Sequence, residues 1–354
     1  MKARIKLEDI ARKAGVHHST VSLALHNSPK LPPATREKIQ KLARQMGYQH
    51  DPAFSFLAAQ RWRKQASSGL TLAVINSDNN VTIDPNNRII LDAIKSRAGE
   101  LGYNLEFFNL TDYPSVERLG RVIKARGIRG IMLFWDTYLH FPADFDWQSF
   151  SVLGININAD NTPFFRVMVD PGRAMLIILQ KLIERSYQRI GAALWKIPGS
   201  DNDRRIIGAF LEFQLEAVPK KNRLPPLLFA GGQLDRETVK DKRGEFYPSP
   251  TLDAYLKKWR PDAIIGMGDL IFWLIRASGL RMPEDIGYIS FSSISHVKMR
   301  NQSEQGVDLQ HLGKASVDQL DLLMRTNQYG IPPRRTTILV DPVFMDYETI
   351  RPAQ

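Results

Sequence analysis

The sequence predicts two folded parts: a small all-α headpiece of the helix-turn-helix type, followed by a larger α/β domain built as two lobes. Three observations predict this arrangement. Excess positive charge lies in the first fifth of the chain, the same stretch contains short helical patterns separated by a glycine turn, and the rest alternates strand and helix patterns twice. A length of 354 residues allows about two or three domains and an ample buried core.

The charge of the chain is distributed unevenly. Residues 1–65 contain 13 Lys and Arg against 4 Asp and Glu, whereas the other 289 residues contain 35 against 33. Because the basic stretch also contains periodic apolar residues and turn signals, we expect a folded module and not a disordered arm. A basic module on a nearly neutral body indicates a nucleic-acid-binding headpiece attached to a domain with another task.

The composition excludes several classes of protein. The chain has no cysteine, so disulfides, cysteine-ligated metals and thiol catalysis are excluded. No apolar run reaches membrane-spanning length and the N-terminus lacks the apolar stretch of a signal peptide, so we expect a cytoplasmic protein with no membrane partner. The motifs of phosphate-binding loops, serine hydrolases and zinc proteases are missing. We therefore expect no cofactor, no metal and no enzymatic activity.

The N-terminal helices follow from apolar spacing. Residues 7–14 have apolar side chains at i, i+3, i+4 and i+7, which predicts an amphipathic helix that ends at a turn on Gly15. A second short helix is predicted over about residues 18–25 and a third over about residues 34–46. Helix, glycine turn and helix in this order form a helix-turn-helix, whose second helix enters the major groove of DNA.

The residues of this module resemble the headpiece of the lactose-repressor (LacI) family of regulators. The matching features are D-I-A-x-x-A-G-V, T-V-S, T-R-E-K-I and M-G-Y, in the family's order and spacing over residues 5–60. The resemblance implies a sequence-specific transcriptional regulator that binds a near-palindromic double-stranded operator as a homodimer. Repression is the expected direction of control, and activation or effector-assisted repression, which the same sequence would give, is left open.

The resemblance assigns the DNA contacts to particular residues. The base edges are expected to be read by the start of the second helix, through His17, His18 and Ser19, and by Leu23 further along it. Leu23 stands where several members have Arg, so the bidentate guanine contact is missing here and the operator differs. The residues expected at phosphates are Lys6, Thr20, Ser22, His26, Thr35 and Arg36.

The segment after the headpiece is expected to be a hinge. The resemblance implies a short helix that folds only on the operator, where Leu57 enters the minor groove and Ala58 is its small packing neighbour. The alternative is a plain exposed linker that carries a few apolar side chains. The predicted division is therefore a DNA-binding domain over residues 1–49, a hinge over 50–66, and an effector-binding and dimerisation domain over 67–354.

The larger domain alternates apolar strands with helices, which predicts parallel sheets covered on both faces. The alternation runs over about residues 70–169 and again over 170–290, and residues 290–325 and 335–354 remain to cross over and complete the two halves. This order resembles the two-lobed, type I periplasmic-binding-protein-like domain of the same family, whose lobes close on a small molecule.

Candidate ligand residues follow the strand ends or match the family's pattern. The resemblance implies a ligand-binding Arg205 in an R-x-x-G element, and Ser292 stands where an acidic residue is usual. The strand ends add Asn76, Asp78, Trp135, Asp136 and Asp269. We expect a sugar or sugar derivative as effector, with an effector-free regulator left open. The rival functions are a carbohydrate-binding protein without regulatory DNA binding and an enzyme acting on nucleic acid.

Overall fold

The structure is a computed structural model. It describes residues 5–25, 28, 31–48, 70–77, 85–134, 140–155, 162–197, 200–230, 247–266, 268–291, 303–307, 309–345 and 349–352. Its N-terminal part is a module of three helices, α1 Leu7–Ala14, α2 His18–Leu25 and α3 Pro33–Gln45. The bounds of α1 and α2 agree with the prediction, and α3 begins one residue earlier than predicted and also ends one residue earlier.

The three helices enclose one small core. Ile10, Val21 and Ile39, one from each helix, are at most 2% exposed and pack together. Ala24 and Ala43 are also buried, and their small side chains let the helices cross closely. Since α1 carries its apolar residues on one face only, its polar face remains in solvent.

The rest of the described chain contains twelve strands and seven further α-helices. The strands are β1 Thr71–Asn76, β2 Asn104–Asn109, β3 Gly130–Phe134, β4 Ser151–Ile155, β5 Phe165–Val169, β6 Ile190–Lys196, β7 Leu227–Ala230, β8 Ala263–Gly266, β9 Gly287–Ser290, β10 Ser303–Val307, β11 Thr337–Val340 and β12 Pro342–Met345. The helices are α4 Pro85–Glu100, α5 Val116–Ala125, α6 Pro171–Glu184, α7 Asp201–Glu216, α8 Pro250–Trp259, α9 Gly268–Ala277 and α10 Leu309–Arg325.

The strands form two six-stranded sheets of the same design. The first sheet has the order β11-β5-β4-β3-β1-β2 and the second has the order β12-β10-β9-β8-β6-β7. All pairs are parallel except that of β10 with β12, which is antiparallel. Every residue of β3 and β4 is buried, as expected for parallel strands covered by helices on both faces. The predicted fold class, a helix-turn-helix headpiece with a two-lobed α/β domain, is confirmed.

The two lobes exchange helices. Helix α6 follows β5 of the first sheet but packs against α7 and β12 of the second lobe. Helix α10 follows β10 of the second sheet but packs against α4, β3, β4 and β5 of the first lobe. The chain crosses between the sheets a third time from β11 to β12, which are one residue apart. Residues 309–345 thus complete both halves, in agreement with the crossover predicted for the C-terminal segments.

No helix in the described part of the chain is both long enough and apolar enough to cross a membrane. The same residues contain no group of three or more His, Asp or Glu side chains that could hold a metal ion.

Candidate nucleic-acid interface and ligand cleft

The turn between α1 and α2 aims the second helix away from the headpiece core. Gly15 has a φ of 66°, a left-handed conformation that suits glycine, and its N–H donates to the carbonyl oxygen of Ala11. The N–H of Val16 donates to the same carbonyl at 3.1 Å. Val21 then anchors α2 in the core, which leaves the first turn of α2 on the surface.

The start of α2 and the residue before it present three exposed polar side chains side by side. The rings of His17 and His18 lie with their centroids 4.1 Å apart and their planes inclined by 46°. Nδ1 of His17 lies 2.9 Å from Oγ of Ser19, and all three side chains are exposed. Imidazole and hydroxyl groups both donate and accept hydrogen bonds, so this group can bind the edges of several bases.

Most of the remaining headpiece candidates are less accessible. Leu23 is half-buried, so only part of its side chain is available to a base. The half-buried residues among the phosphate candidates are Thr20, Ser22, Thr35 and Arg36. Lys6 is exposed at the start of α1, and His26 lies outside the described residues.

Lys6 occupies the N-cap of α1, where its side chain cannot accept a hydrogen bond. Asp9 supplies one half of a capping box: its Oδ2 accepts from the backbone N–H of Lys6 at 2.9 Å. The ammonium group of Lys6 is therefore not needed by the helix cap, which is consistent with its predicted role at a phosphate.

Asn76, the polar candidate at the end of β1, belongs to a row of hydrogen-bonded amide and carboxylate groups. Nδ2 of Asn76 donates to Oδ1 of Asn109 at 3.4 Å, and Nδ2 of Asn109 donates to Oδ2 of Asp112 at 3.1 Å. Asn76 is fully buried, and within the described structure its Oδ1 has no hydrogen-bond partner. Asn109 and Asp112 were missed by sequence reasoning, although Asn109 ends the second apolar strand as Asn76 ends the first.

Arg205 lies near the carboxyl end of the second sheet. It follows β6 in the early part of α7, and its side chain is exposed. The start of this helix is firmly capped, because Ser200 Oγ accepts from the N–H of Asp203 at 3.1 Å and Asp203 Oδ2 accepts from the N–H of Ile197 at 2.7 Å. Asn76 and Arg205 therefore occupy corresponding places, after the first strand of each lobe.

The structure leaves the other predicted ligand and hinge residues undescribed. Asp269 is the second residue of α9, directly after β8, but its side chain is outside the described set. The candidates that lie wholly outside the described residues are Leu57, Ala58, Asp78, Trp135, Asp136 and Ser292.

A shallow depression of about 380 Å³ lies at the opposite edge of the first sheet. Its lining includes Arg129, Ser149 and Tyr329, which come before strands and not after them. In open parallel α/β sheets ligands bind at the carboxyl ends of strands, so this depression does not coincide with the predicted cleft.

Known proteins match the headpiece of the chain and also a longer stretch of its sequence. The sequence model of the family described as bacterial regulatory proteins, lacI family, matches residues 6–51. The sucrose operon repressor of Escherichia coli is 28% identical over 183 residues, which are 52% of this chain and 53% of that repressor. The chain thus aligns with about half the length of this relative.

Two solved structures resemble nearly the whole chain. The lac repressor dimer bound to operator and the anti-inducer ONPF is 19% identical, with a TM-score of 0.51 and coverage of 98% of this chain and 99% of that one. A complex of the transcriptional regulator CelR with cellobiose is 18% identical, with a TM-score of 0.52 and coverage of 98% and 100%. At these identities the likeness establishes the fold.

Proposed function

We propose that the chain, whose residues 6–51 match the family of bacterial regulatory proteins described as lacI, is a sequence-specific DNA-binding transcriptional regulator of that family. It acts as a repressor and binds a near-palindromic operator as a homodimer in the cytoplasm. The observation that carries the proposal is the exposed group of His17, His18 and Ser19 at the start of α2, within the N-terminal 65 residues that hold nearly all the excess positive charge.

The proposed DNA contacts are of three kinds: contacts to base edges, contacts to phosphates and insertion into the minor groove. His17, His18, Ser19 and Leu23 read bases. Contacts to phosphates fix the register of the headpiece without reading sequence. The proposed phosphate contacts are Lys6, Thr20, Ser22, His26, Thr35 and Arg36. Leu57, with Ala58 beside it, enters the minor groove at the centre of the operator from a hinge over residues 50–66.

The proposed effector is a small carbohydrate or a derivative of one. Two similar proteins support this class, since one is named as the repressor of a sucrose operon and one was solved with cellobiose. The proposed contacts lie at the carboxyl ends of both sheets, and they are Asn76, Asp78, Trp135, Asp136, Arg205, Asp269 and Ser292. Because three short connections join the lobes, a ligand that draws the lobes together changes the geometry at the start of β1, where the hinge enters.

The DNA-binding proposal is tested by selecting a preferred duplex from a random pool and measuring affinity against salt concentration. We expect log Kd to depend linearly on log salt, with a slope of about 0.9 per phosphate contact. We expect His18→Ala to lose about tenfold or more in affinity for the selected duplex, which corresponds to about 1–3 kcal/mol per base contact.

The matched control for that variant is His140→Ala, which removes an exposed histidine from the other domain. It should bind the selected duplex like the wild type. Equal affinity of the wild type for selected and random duplexes would contradict sequence-specific regulation and favour a carbohydrate-binding protein without it.

The effector proposal is tested by thermal unfolding against monosaccharides, disaccharides, sugar acids and nucleosides. A ligand at a hundredfold excess over its Kd raises stability by about 2.7 kcal/mol. Arg205→Ala should abolish the shift, whereas Arg204→Ala, which removes the neighbouring exposed arginine, should retain it. A panel in which no sugar raises the midpoint would contradict the carbohydrate class and leave the DNA-binding test unaffected.

A further inference from the structure

The amino-terminal edge of the first sheet is the part of the larger domain at which the chain arrives from the headpiece. Leu70 leads directly into β1 at this edge. In the parallel pair of β1 with β3, Leu72 lies opposite Gly130, so Arg129 lies beside the start of β1. Neighbouring strands are about 4.8 Å apart. The backbone of Arg129 is therefore one strand spacing from the place where the proposed hinge joins the domain.

Two arginines at this edge have no acidic partner among the residues that the structure describes. Arg129 comes directly before β3 and Arg334 comes shortly before β11, and both are exposed. Since neither guanidinium group is used in an ion pair within the described fold, both are available to an anion outside it.

Other cations near this edge are already used by the fold. Lys124 at the end of α5 is paired with Asp146, and Arg126 is paired with Glu106. These pairs cancel their own charges, so the carboxylate of Asp146 does not leave a net negative charge beside Arg129. The uncancelled positive charge of the edge includes that of the two unpaired arginines.

The edge also contains the depression of about 380 Å³, whose lining includes Arg129, Gln148 and Tyr329. Guanidinium, amide and hydroxyl groups all donate hydrogen bonds, and a guanidinium group matches two oxygens of a phosphate at once. Tyr329 is half-buried, and among the described residues its hydroxyl has no hydrogen-bond partner. The depression therefore offers hydrogen-bond donors to a phosphate group close to the start of β1.

The length of the connecting chain brings this edge close to DNA, and this step rests on the proposed function. With the hinge over residues 50–66 at the minor groove, residues 67–69 separate it from Leu70. Four Cα–Cα steps span at most about 14 Å. Because a DNA duplex carries one negative charge per roughly 1.7 Å of its axis, an edge held within this reach faces phosphates.

We propose that the amino-terminal edge of the first sheet is a second DNA-contact surface, on which Arg129 and Arg334 bind backbone phosphates of the duplex held by the headpiece. In the sheet order β11-β5-β4-β3 the two arginines are three strand spacings apart, or about 14 Å. The minor groove is about 6 Å wide, so the two side chains can reach phosphates on both sides of it. These contacts add affinity without reading sequence.

The test is the salt dependence of DNA binding by the full-length protein, measured on a selected and a random duplex. Arg129→Gln and Arg334→Gln should each lower the slope of log Kd against log salt by about 0.9, the value of one phosphate contact, and should weaken binding to both duplexes by the same factor. The matched control is Lys220→Gln, which removes an exposed cation before β7 at the corresponding edge of the second sheet and should keep the wild-type slope. A wild-type slope in the double arginine variant, or an equal loss in Lys220→Gln, would overturn the proposal.

Uncharged phosphates distinguish a direct contact from a general effect of charge. Phosphates of the duplex are replaced one at a time by methylphosphonates. We expect a position at which the wild type loses about tenfold in affinity and Arg129→Gln loses none, because the variant no longer contacts that phosphate. The same loss in both proteins at every position would contradict the contact.

Inorganic phosphate tests the other source of the same chemical group. At matched ionic strength it should leave the thermal midpoints of the wild type and Arg129→Gln equally unchanged. A midpoint that phosphate raises only in the wild type, together with an unchanged salt slope in the variant, would assign the depression to a small free anion and overturn the proposal. Failure of the proposed function is seen separately, as equal affinity of the wild type for selected and random duplexes, on which the slopes of the variants can still be compared.

Discussion

Gly313 lies where helix α10 crosses helix α4, at a contact too close for a side chain. A Cβ at this position would lie 2.7 Å from the carbonyl oxygen of Ile90 and 2.8 Å from Cβ of Ala93. The nearest atom belongs to the backbone of α4, so it cannot move aside as the end of a flexible side chain would. The glycine therefore sets how closely α10 approaches the first lobe.

We expect Gly313→Ala to destabilise the protein by about 1–3 kcal/mol, because the added methyl group forces two packed helices apart. The matched control is Gly99→Ala on α4, where an added Cβ meets nothing within 4 Å. That variant should stabilise the protein by roughly 0.5–1 kcal/mol through helix propensity. Urea unfolding of both variants measures the difference. A Gly313→Ala protein as stable as Gly99→Ala would contradict the close approach of the helices.

The ion pair of Lys124 and Asp146 makes the stability of the protein depend on pH. The Lys124 ammonium group donates a hydrogen bond to Asp146 and holds the pKa of that carboxyl below its usual range, and Ser149 Oγ donates to the same oxygen at 3.1 Å. A depressed pKa stabilises the folded state above the pKa of the unfolded chain, about 3.9, and this stabilisation is lost as pH falls through the folded value.

We therefore expect Asp146→Asn to be slightly less stable than the wild type near pH 6, and the two to become equally stable in strong acid. The difference stays small, under about 1 kcal/mol, because the Asp146 side chain is 54% exposed to solvent. Lys124→Gln should reproduce the same pH-dependent difference. Thermal unfolding from pH 2 to pH 7 measures it, and a difference that is constant across this range would contradict the ion pair.

At the level of secondary structure, helix α2 is held by a side chain of α3. Nε2 of Gln40 donates to the carbonyl oxygen of Ala24 at 2.8 Å, which satisfies a carbonyl at the open end of α2. We expect Gln40→Leu to accelerate hydrogen exchange of the α2 amides by about fivefold, the equivalent of about 1 kcal/mol for one hydrogen bond.

The control is Gln45→Leu, which changes an exposed residue at the C-terminal end of α3. It should leave hydrogen exchange of the α2 amides at the wild-type rate. Equal exchange in the two variants would mean that the Gln40 bond does not hold α2.

The elements that the sequence predicts best are those with a local signal. The apolar runs at residues 130–134 and 150–155 predict β3 and β4 to within a residue, because parallel strands are buried on both faces. Strand β10 contains Ser303, Glu304 and Gln305, so it has no apolar run to detect. Residues 227–230 give β7 only four positions, directly after two prolines. Short or polar strands are set by their neighbours in the sheet and not by their own composition.

Some features of the candidate site are likewise predictable from a local sequence pattern, and others arise only from strand register or helix packing. Asn76 is predictable because it ends an apolar strand, but its pairing with Asn109 arises from the register of β1 and β2, in which these two residues lie opposite each other. The exposure of His17, His18 and Ser19 is predictable from the short helix that Val21 anchors. The half-burial of Leu23 depends on how the three helices pack, which no local pattern specifies.

Because the lobes exchange helices, a continuous piece of chain from the first lobe lacks more of its own core than one from the second lobe does. Residues 67–169 contain β1 to β5 but lack α10 and β11, which cover and extend the first sheet. The side chains that α10 buries in this core include Leu312, Val317, Leu320 and Leu323, each at most 3% exposed. Residues 170–307 keep α6 but lack the edge strand β12 and residues 349–352, whose Ile350 is buried in the core of the second lobe.

We therefore expect residues 67–169 alone to lack a cooperative unfolding transition, since one face of the sheet would expose a core normally covered by α10. A chain with residues 309–341 appended to that fragment should unfold cooperatively, because the helix and the sixth strand are restored. Residues 170–307 should fold without any addition, since the missing edge strand and the four C-terminal residues cover less of the core than a whole helix does. Circular dichroism with urea unfolding of the three chains measures this, and a cooperative transition in 67–169 alone would contradict the dependence of the first lobe on α10.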